Sequence, residues 1–397
     1  MPGGCHHGGV VWWVDMTSAV IEQIQLETLR LIAEQFADQQ TIVTIQPFGN
    51  GNINDTFLVT LADGSGALTR LVLQRINTQV FHHPHLIMQN MRVLTQHVCD
   101  RLQREALERW PSPLPHRRWE VPRVILTQAG QDYWRDSNGS VWRAISFIDG
   151  AESFDQMQSV AQAEEVGYAL GMFHNLISDL EPERLADTLE GFHITPQYLR
   201  QYKNRLATAS HRSSEVHYCQ KFIDDRQDLA HVLERAKTQK KLPIRLMHGD
   251  PKVNNIMFDR RTEKAVSVVD LDTVKPGLVH YDIGDCLRSG CNPIGEETEQ
   301  WELVAFEADL CQGLLQGYLS VARAFLTEND YLYLYDAIRL LAFELGLRFF
   351  TDHLAGNVYF KVKHPEHNLI RALVQFKLAE SIEAQEKLIR ALIRDLR

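Results

Sequence analysis

The chain has 397 residues, of which 44% are hydrophobic and 23% charged, a balance ordinary for a soluble globular protein. At about 150 residues per domain there is room for two cores. A net charge of −10 speaks against a broad nucleic-acid surface, and no apolar run nears the ~20 residues that span a bilayer, so neither nucleic acid nor membrane is expected as a partner. The start, Met1-Pro-Gly-Gly-Cys5 through Val10-Val-Trp-Trp-Val14, lacks the charged n-region and long apolar stretch of a signal peptide. Cysteines 5, 99, 219, 286, 291 and 311 form no C-x-x-C pair and read as reduced core thiols, so a cytoplasmic location is expected.

Residues 1–16 read as a tail. Apolar positions at Val20, Ile21, Ile24, Leu29, Ile32, Ala33 and Phe36 then predict an amphipathic helix over 17–36. Three antiparallel strands follow at 41–47, 56–61 and 68–75. The first turn is Phe48-Gly49-Asn50-Gly51-Asn52-Ile53-Asn54-Asp55, whose glycines allow close backbone approach to phosphate oxygens. Gly49, Gly51 and Asn54 are candidate nucleotide contacts, although Gly-Asn-Gly-Asn is also ordinary hairpin chemistry. A helix is expected over 84–100. The run His82-His83-Pro84-His85 before it is a poor chelate, because adjacent side chains point apart, and reads as a helix-start surface.

The charged, proline-rich stretch 101–120 reads as a loop, with strands at 121–127, 131–136 and 141–147 after it. A boundary near 148–152 divides an N-terminal lobe, 17–150, from a larger helical lobe, 151–397. A helix at 158–180 carries His174 on its apolar stripe, where a buried core histidine is expected. Charged helices fill 196–240, leucine-rich and aromatic helices 300–350, and a final structural helix 365–395.

Between these helices lies the most informative stretch. The strand 242–247 enters the loop His248-Gly249-Asp250-Pro-Lys-Val-Asn254-Asn255. A second strand leaves it, and a third, 265–269, ends in Asp270-Leu-Asp272. Phosphoryl transfer needs a base for the attacking hydroxyl and hard oxygen ligands for a metal that bridges the phosphates. Asp250 is the candidate base, Asn255 and Asp270 are candidate Mg²⁺ ligands, and Asp272 is an auxiliary ligand or a contact to the acceptor. A loop whose Asp and Asn merely cap turns is the bland alternative. Four polar types at fixed offsets between two apolar strands outweigh it.

The pattern H-G-D-x-x-x-x-N, apolar strand, D-x-D resembles the aminoglycoside phosphotransferase and choline kinase group of small-molecule kinases. The stretch Leu73-Gln-Arg-Ile-Asn77-Thr-Gln-Val-Phe81 is similar to a signature of N-acetylhexosamine 1-kinases within that group, as is Arg348-Phe-Phe-Thr-Asp352-His-Leu-Ala-Gly-Asn357-Val-Tyr359-Phe360. The resemblance implies an α+β, two-lobed protein-kinase-like fold: an antiparallel N-terminal sheet lobe and a mainly helical catalytic lobe. It implies ATP and Mg²⁺ as cofactors and a small-molecule substrate, most simply a sugar, for a monomer or homodimer. It also makes His248 and Asp282 braces of the Asp250 loop, Phe147 the hinge contact to adenine, and Asn254, His193, Arg348 and Tyr359 contacts to the acceptor.

Several departures stand out. The third-strand lysine of kinases is replaced by Gln74, with Arg75 beside it on the other face. The helix position where its glutamate partner is sought holds Gln89. A Gln–Gln hydrogen bond, or Arg75 swinging in, would have to substitute. Asn254 and Asn357 stand where the relatives carry Asp. The implied activity is transfer of the γ-phosphoryl of ATP to the anomeric hydroxyl of an N-acetylhexosamine. The alternatives are a kinase of another small alcohol, of aminoglycoside, choline or homoserine type, and a non-catalytic nucleotide-binding protein.

Overall fold

The computed structural model describes residues 26–49, 53–108, 117–207 and 213–397. The chain divides into two compact units, one built from the described residues up to Pro84 together with Pro122–Phe147, the other from His85–Val121 and Ile148–Arg397. Among the described residues no helix is long and apolar enough to cross a membrane.

The first unit is a six-stranded antiparallel sheet with one covering helix. Helix α1, residues 26–34, precedes strands β1 (Thr41–Pro47), β2 (Asp55–Ala62) and β3 (Leu68–Ile76), then the short β4 (Val124–Ile125), β5 (Trp134–Arg135) and finally β6 (Val141–Ser146). The strand order is β1-β2-β3-β6-β4, with β5 also on β6. Strand alternation puts Val59, Leu61, Leu71, Leu73, Trp142 and Ala144 on one face, where Ile32, Ala33 and Phe36 cover them. Thr56, Gln74 and Arg143 fall on the opposite face, directly across from one another in register.

In the second unit, helix α2 (Pro84–Glu108) outlasts the predicted end at 100. Leu102-Gln-Arg-Glu-Ala-Leu-Glu108 are all strong helix formers, so charge alone did not mark a loop. Arg101 ties the helix down through Asn175 O and Asp179. The expected strands 121–127 and 131–136 shrink to two residues each because a tight turn at 127–131 bonds Gly130 N to Thr127 O. The strand β7 (Ala151–Glu152) and helices α3 (Val160–Leu176), α4 (Thr195–Leu206), α5 (Ser214–Asp224) and α6 (Val232–Thr238) follow.

The strands β8 (Arg245–Met247), β9 (Ile256–Asp259), β10 (Ala265–Val268) and β11 (Lys275–Gly277) form two small sheets, β10-β9-β7 and β11-β8. Helices α7 (Val279–Gly290), α8 (Ala308–Ala322), α9 (Glu328–Leu332), α10 (Leu334–Leu354), α11 (His367–Ala384) and α12 (Glu386–Leu396) complete the unit. The predicted single helix 365–395 is therefore two, broken at Gln385, whose side chain bonds Phe306 O at 2.7 Å. The core is aromatic: Phe376 of α11 stacks on Phe222 of α5 at 4.5 Å and packs against Phe343 of α10. Cys219, Cys286, Cys291 and Cys311 are buried free thiols and Cys99 is half-buried.

Candidate active site

Strand β8 delivers the loop His248-Gly249-Asp250 to the surface of the helical unit, and almost every hydrogen-bonding group of that loop is fixed. Asp282, fully buried in α7, accepts the backbone N–H of His248 at 2.5 Å and of Gly249 at 2.8 Å. Its Oδ2 also lies 2.8 Å from Nε2 of His174, whose Nδ1 meets Tyr318 of α8 at 3.0 Å. His174 is thus a core histidine that holds the carboxylate under the loop. Gly249 adopts φ 89°, and a Cβ there would sit 2.9 Å from Thr273 O, so only glycine fits. His248 accepts Asp250 N–H through Nδ1 at 3.2 Å and places Nε2 2.9 Å from Val269 O, as a neutral imidazole does. Burial keeps that ring below its ordinary pKa.

Asp250 emerges from this frame with its Oδ2 3.0 Å from Lys252 Nζ. Burial pushes its carboxyl up, but the Lys252 ammonium, with His248 and Arg288 behind it, outweighs this and holds the group below its ordinary value. A carboxylate ionised at neutral pH is what a base requires. Asn255 donates Nδ2–H to Asp250 O at 2.8 Å, which turns its amide oxygen away from the loop backbone. The backbone bond from Val269 N to Asn255 O brings Asp270, in a left-handed conformation (φ 63°), next to it. Asp270 is exposed; Asp272, two residues on, is buried and its carbonyl accepts Thr188 Oγ1.

Among the described residues no three His, Cys, Asp or Glu side chains form a metal cluster. One amide oxygen and one or two carboxylates are a sparse set of hard donors. That set suits Mg²⁺, which keeps waters and shares phosphate oxygens instead of demanding a full protein cage.

Of the acceptor-side candidates, His193 is held by bonds at both ring nitrogens. Nδ1 lies 2.8 Å from Glu344 of α10, Nε2 lies 2.8 Å from Gly249 O, and Tyr281 stacks on the ring. With both nitrogens engaged it has no hydrogen bond to offer a ligand, so it supports the loop from a second side. Burial pushes its pKa down, but the Glu344 carboxylate more than reverses this and the ring is held above its ordinary 6.5. Arg348, one turn beyond Glu344, lies among the rings of Phe192, Tyr198 and Phe360 at 5.0–5.5 Å. Burial pushes the Tyr198 hydroxyl up to about 12.

Tyr359 is 53% exposed, and its backbone N–H is bound with that of Val358 by Asp352 Oδ1. Asn357, the neutral replacement in this segment, takes φ 61° and spends its amide on Pro365 O and Asn368. Its side chain serves the turn. Asn254 is exposed on the loop beside Asn255.

In the sheet unit, Gly49 has φ 75° and Asn54 Oδ1 accepts Asn77 N–H at 3.0 Å, stapling the glycine turn to the end of β3. Gly51 lies outside the described residues. Phe147 packs edge-on against Phe48 at 5.8 Å with Arg70 above its ring. Gln74 is spent within the sheet: its Nε2 reaches Thr56 Oγ1 at 3.1 Å and its Oε1 accepts Arg143 Nε–H at 3.0 Å. Arg75 is on the other face, paired with Asp55 at 2.8 Å and over Trp142. Gln89 of α2 is exposed; the buried amide of that helix is the next residue, Asn90, which bonds Ala186 O at 2.8 Å and Val274 O at 3.3 Å.

Lys252, Arg143 and Glu344 belong to none of the motifs that the sequence reading rests on. Lys252 stands two residues after Asp250, and its charge beside a candidate base is the signal that marks it.

Several solved structures share this fold. An aminoglycoside phosphotransferase from Alicyclobacillus acidocaldarius is 16% identical, with a TM-score of 0.54 over 92% of this chain and 96% of that one. A choline kinase from Cryptosporidium parvum is 15% identical, with a TM-score of 0.54 over 88% and 91%. A microcompartment-associated aminopropanol kinase is 16% identical, with a TM-score of 0.57 over 92% and 98%. All three show a two-lobed kinase-like fold with an antiparallel sheet lobe and a helical lobe, as here. The family model described as the APH phosphotransferase enzyme family matches residues 44–323, a span that includes the glycine turn, the Asp250 loop and Asp282. The chain belongs to that phosphotransferase enzyme family.

Proposed function

We propose that this phosphotransferase moves the γ-phosphoryl group of ATP to a hydroxyl of a small molecule, most simply the anomeric hydroxyl of an N-acetylhexosamine or a related sugar. The observation that carries the reading is the Asp250 carboxylate, 3.0 Å from Lys252 Nζ, on a loop whose backbone N–H groups Asp282 holds. The acceptor oxygen forms the new bond to the γ-phosphorus, the bond from that phosphorus to the β,γ-bridging oxygen breaks, and ADP leaves. Asp250 takes the hydroxyl proton and returns it to solvent. Lys252, beside Asp250, would draw off charge on the transferring oxygens. Asn255 and Asp270 would hold Mg²⁺, with Asp272 as an auxiliary; that ion would supply charge neutralisation at the phosphates.

The choice of acceptor rests on charge. Arg348 and Lys252 both act on Asp250, and the rings of Phe192, Tyr198 and Phe360 already surround a guanidinium belonging to the chain. The rings that could take a cationic acceptor of the aminoglycoside or choline type are already occupied by Arg348, whereas a neutral sugar can hydrogen-bond to Arg348 and Tyr359. The test is incubation with Mg²⁺, ATP and a panel of hexoses, N-acetylhexosamines, amino alcohols and aminoglycosides, followed by ADP release and ³¹P NMR. An anomeric phosphate on an N-acetylhexosamine is the expected product. A product on an amino alcohol instead would discard the sugar and keep the kinase.

A further inference from the structure

Two histidines touch the Asp250 loop, and their partners give them opposite charges. His248 pairs one acceptor nitrogen with one donor nitrogen, the pattern of a neutral ring. His193 differs. Its Nε2 lies 2.8 Å from Gly249 O, a carbonyl that can only accept, so Nε2 carries a hydrogen. Its Nδ1 lies 2.8 Å from Glu344 Oε1, and Oε2 of that carboxylate accepts the Thr195 hydroxyl at 2.5 Å. An ionised carboxylate also only accepts. Two ring nitrogens facing two acceptors need two N–H groups, which only the imidazolium has. The pair is closed to solvent, with His193 3% and Glu344 1% exposed. The His193 backbone is held at φ 62°, a conformation that persists only where the surroundings enforce it.

Building on the kinase reading, we propose that His193 is a positioning residue for phosphoryl transfer, a latch whose imidazolium ties the Asp250 loop to α10 and opens when the ring loses a proton. A neutral ring keeps one N–H, so either Gly249 O or Glu344 is left facing a lone pair in a site without water to replace the bond. Gly249 is the residue before Asp250, and small misplacements of a reacting group cost large factors in rate. The titratable groups around the ring are Glu344 and Arg348 on α10, Tyr281 and Asp285 on α7, Tyr198 on α4, and the Asp250–Lys252 pair in the loop. Burial disfavours the charged ring, and the carboxylates of Glu344 and Asp285 more than reverse this. Burial likewise pushes the Glu344 carboxyl up, but His193 and Arg348 hold it below its ordinary value, so the pair is an ion pair. With His193 raised above 6.5, the latch is closed at acid and neutral pH and opens as pH rises through the folded pKa.

The test joins a direct titration to a rate profile, both on the full chain. NMR of histidine-labelled protein reads the protonation of each ring, and the signal missing from His193→Asn is that of His193; asparagine tolerates the left-handed backbone there. Both nitrogens should be protonated at neutral pH, and a neutral ring would overturn the proposal. The kcat for ADP release with Mg·ATP and the accepted sugar should fall on the alkaline side with the midpoint found by NMR. Glu344→Gln removes the nearer anion and should move both midpoints down by about one pH unit or more. A merely structural role would lower stability and leave the rate midpoint in place, which rejects the latch. His193→Asn should lower kcat by about tenfold or more, abolish that alkaline limb and leave the KM for ATP nearly unchanged. Should His193→Asn fail to melt cooperatively, the signal displaced by Glu344→Gln identifies the ring, and a wild-type rate midpoint away from its titration rejects the proposal. Absence of ADP release at every pH and with every acceptor would instead sink the kinase reading, whatever the NMR titration shows, which separates the two failures.

Discussion

His174 Nε2 and Asp282 Oδ2 lie 2.8 Å apart in a pocket closed to solvent, and the same carboxylate carries the backbone of His248 and Gly249. Removing the carboxylate orphans two buried N–H groups and one ring nitrogen together. Asp282→Ala should lose about 3–5 kcal/mol, read by urea denaturation, the scale for orphaning three buried hydrogen-bonding groups. His174→Phe, which leaves both backbone bonds in place, should lose clearly less. Equal losses would mean that the backbone bonds contribute little.

Asp250→Asn keeps the shape of the loop and removes the proposed base. Turnover should fall by about a hundredfold to ten-thousandfold, the span attributed to general-base catalysis, with the melting temperature little changed. Because Asp250 is held below its ordinary pKa, kcat of the wild type should show no decline from this group between pH about 8 and about 5. A variant as active as wild type would remove Asp250 from the chemistry.

The His193–Glu344 pair gives a stability that depends on pH in both directions. His193 is raised above 6.5, so its contribution is complete below that value and is lost as pH rises through the folded pKa. Glu344 is pushed up by burial but held below 4.5 chiefly by His193, so its contribution is present above that value and is lost as pH falls. Unfolding free energy measured against pH should therefore sag above pH 6.5 in the wild type. His193→Gln should flatten that limb; an identical slope in the variant would show that the pair does not titrate this way.

Removing divalent cations with a chelator should abolish ADP release, and Mg²⁺ should restore it. Asp270→Asn should raise the Mg²⁺ concentration for half-maximal rate by about tenfold or more, as the loss of an anionic oxygen ligand implies. Asp272→Asn should shift it less, since that side chain is buried while Asp270 is exposed. The reverse order would exchange the two assignments.

Gly249→Ala forces a Cβ against Thr273 O at a φ of 89°. A loss of about 1–3 kcal/mol in thermal or urea unfolding is expected, with turnover reduced because Asp250 is the next residue. Retained stability would mean that the loop relaxes freely.

The parts of this fold legible in the sequence are those written locally. Strands at 41–47, 56–61 and 68–75 follow from alternation and lie within a residue of the observed ends. The residues of the Asp250 loop and Asp270 lie at fixed offsets because one strand-loop-strand unit carries them. What escaped notice depends on neighbours distant in sequence. Arg143 reads as one charge inside an apolar strand until β3 and β6 are paired and Gln74 proves to be opposite. His193 reads as a pocket histidine until α10 brings Glu344 to it. Helix α2 reads as ending at 100 because proline and charge lie just beyond, whereas seven good helix formers carry it to Glu108.

The bracing of Asp250 also sets the order in which the molecule can be assembled. The loop reaches forward 34 residues for Asp282, and its other support joins His193 to Glu344 across 151 residues. Domains form as units during synthesis from the N-terminus, and long loops must close before distant contacts reward them. A ribosome-bound chain ending before α10 would thus display the complete His-Gly-Asp motif with one of its two supports missing. The second support of the proposed catalytic loop arrives only with α10, long after the loop itself has been translated.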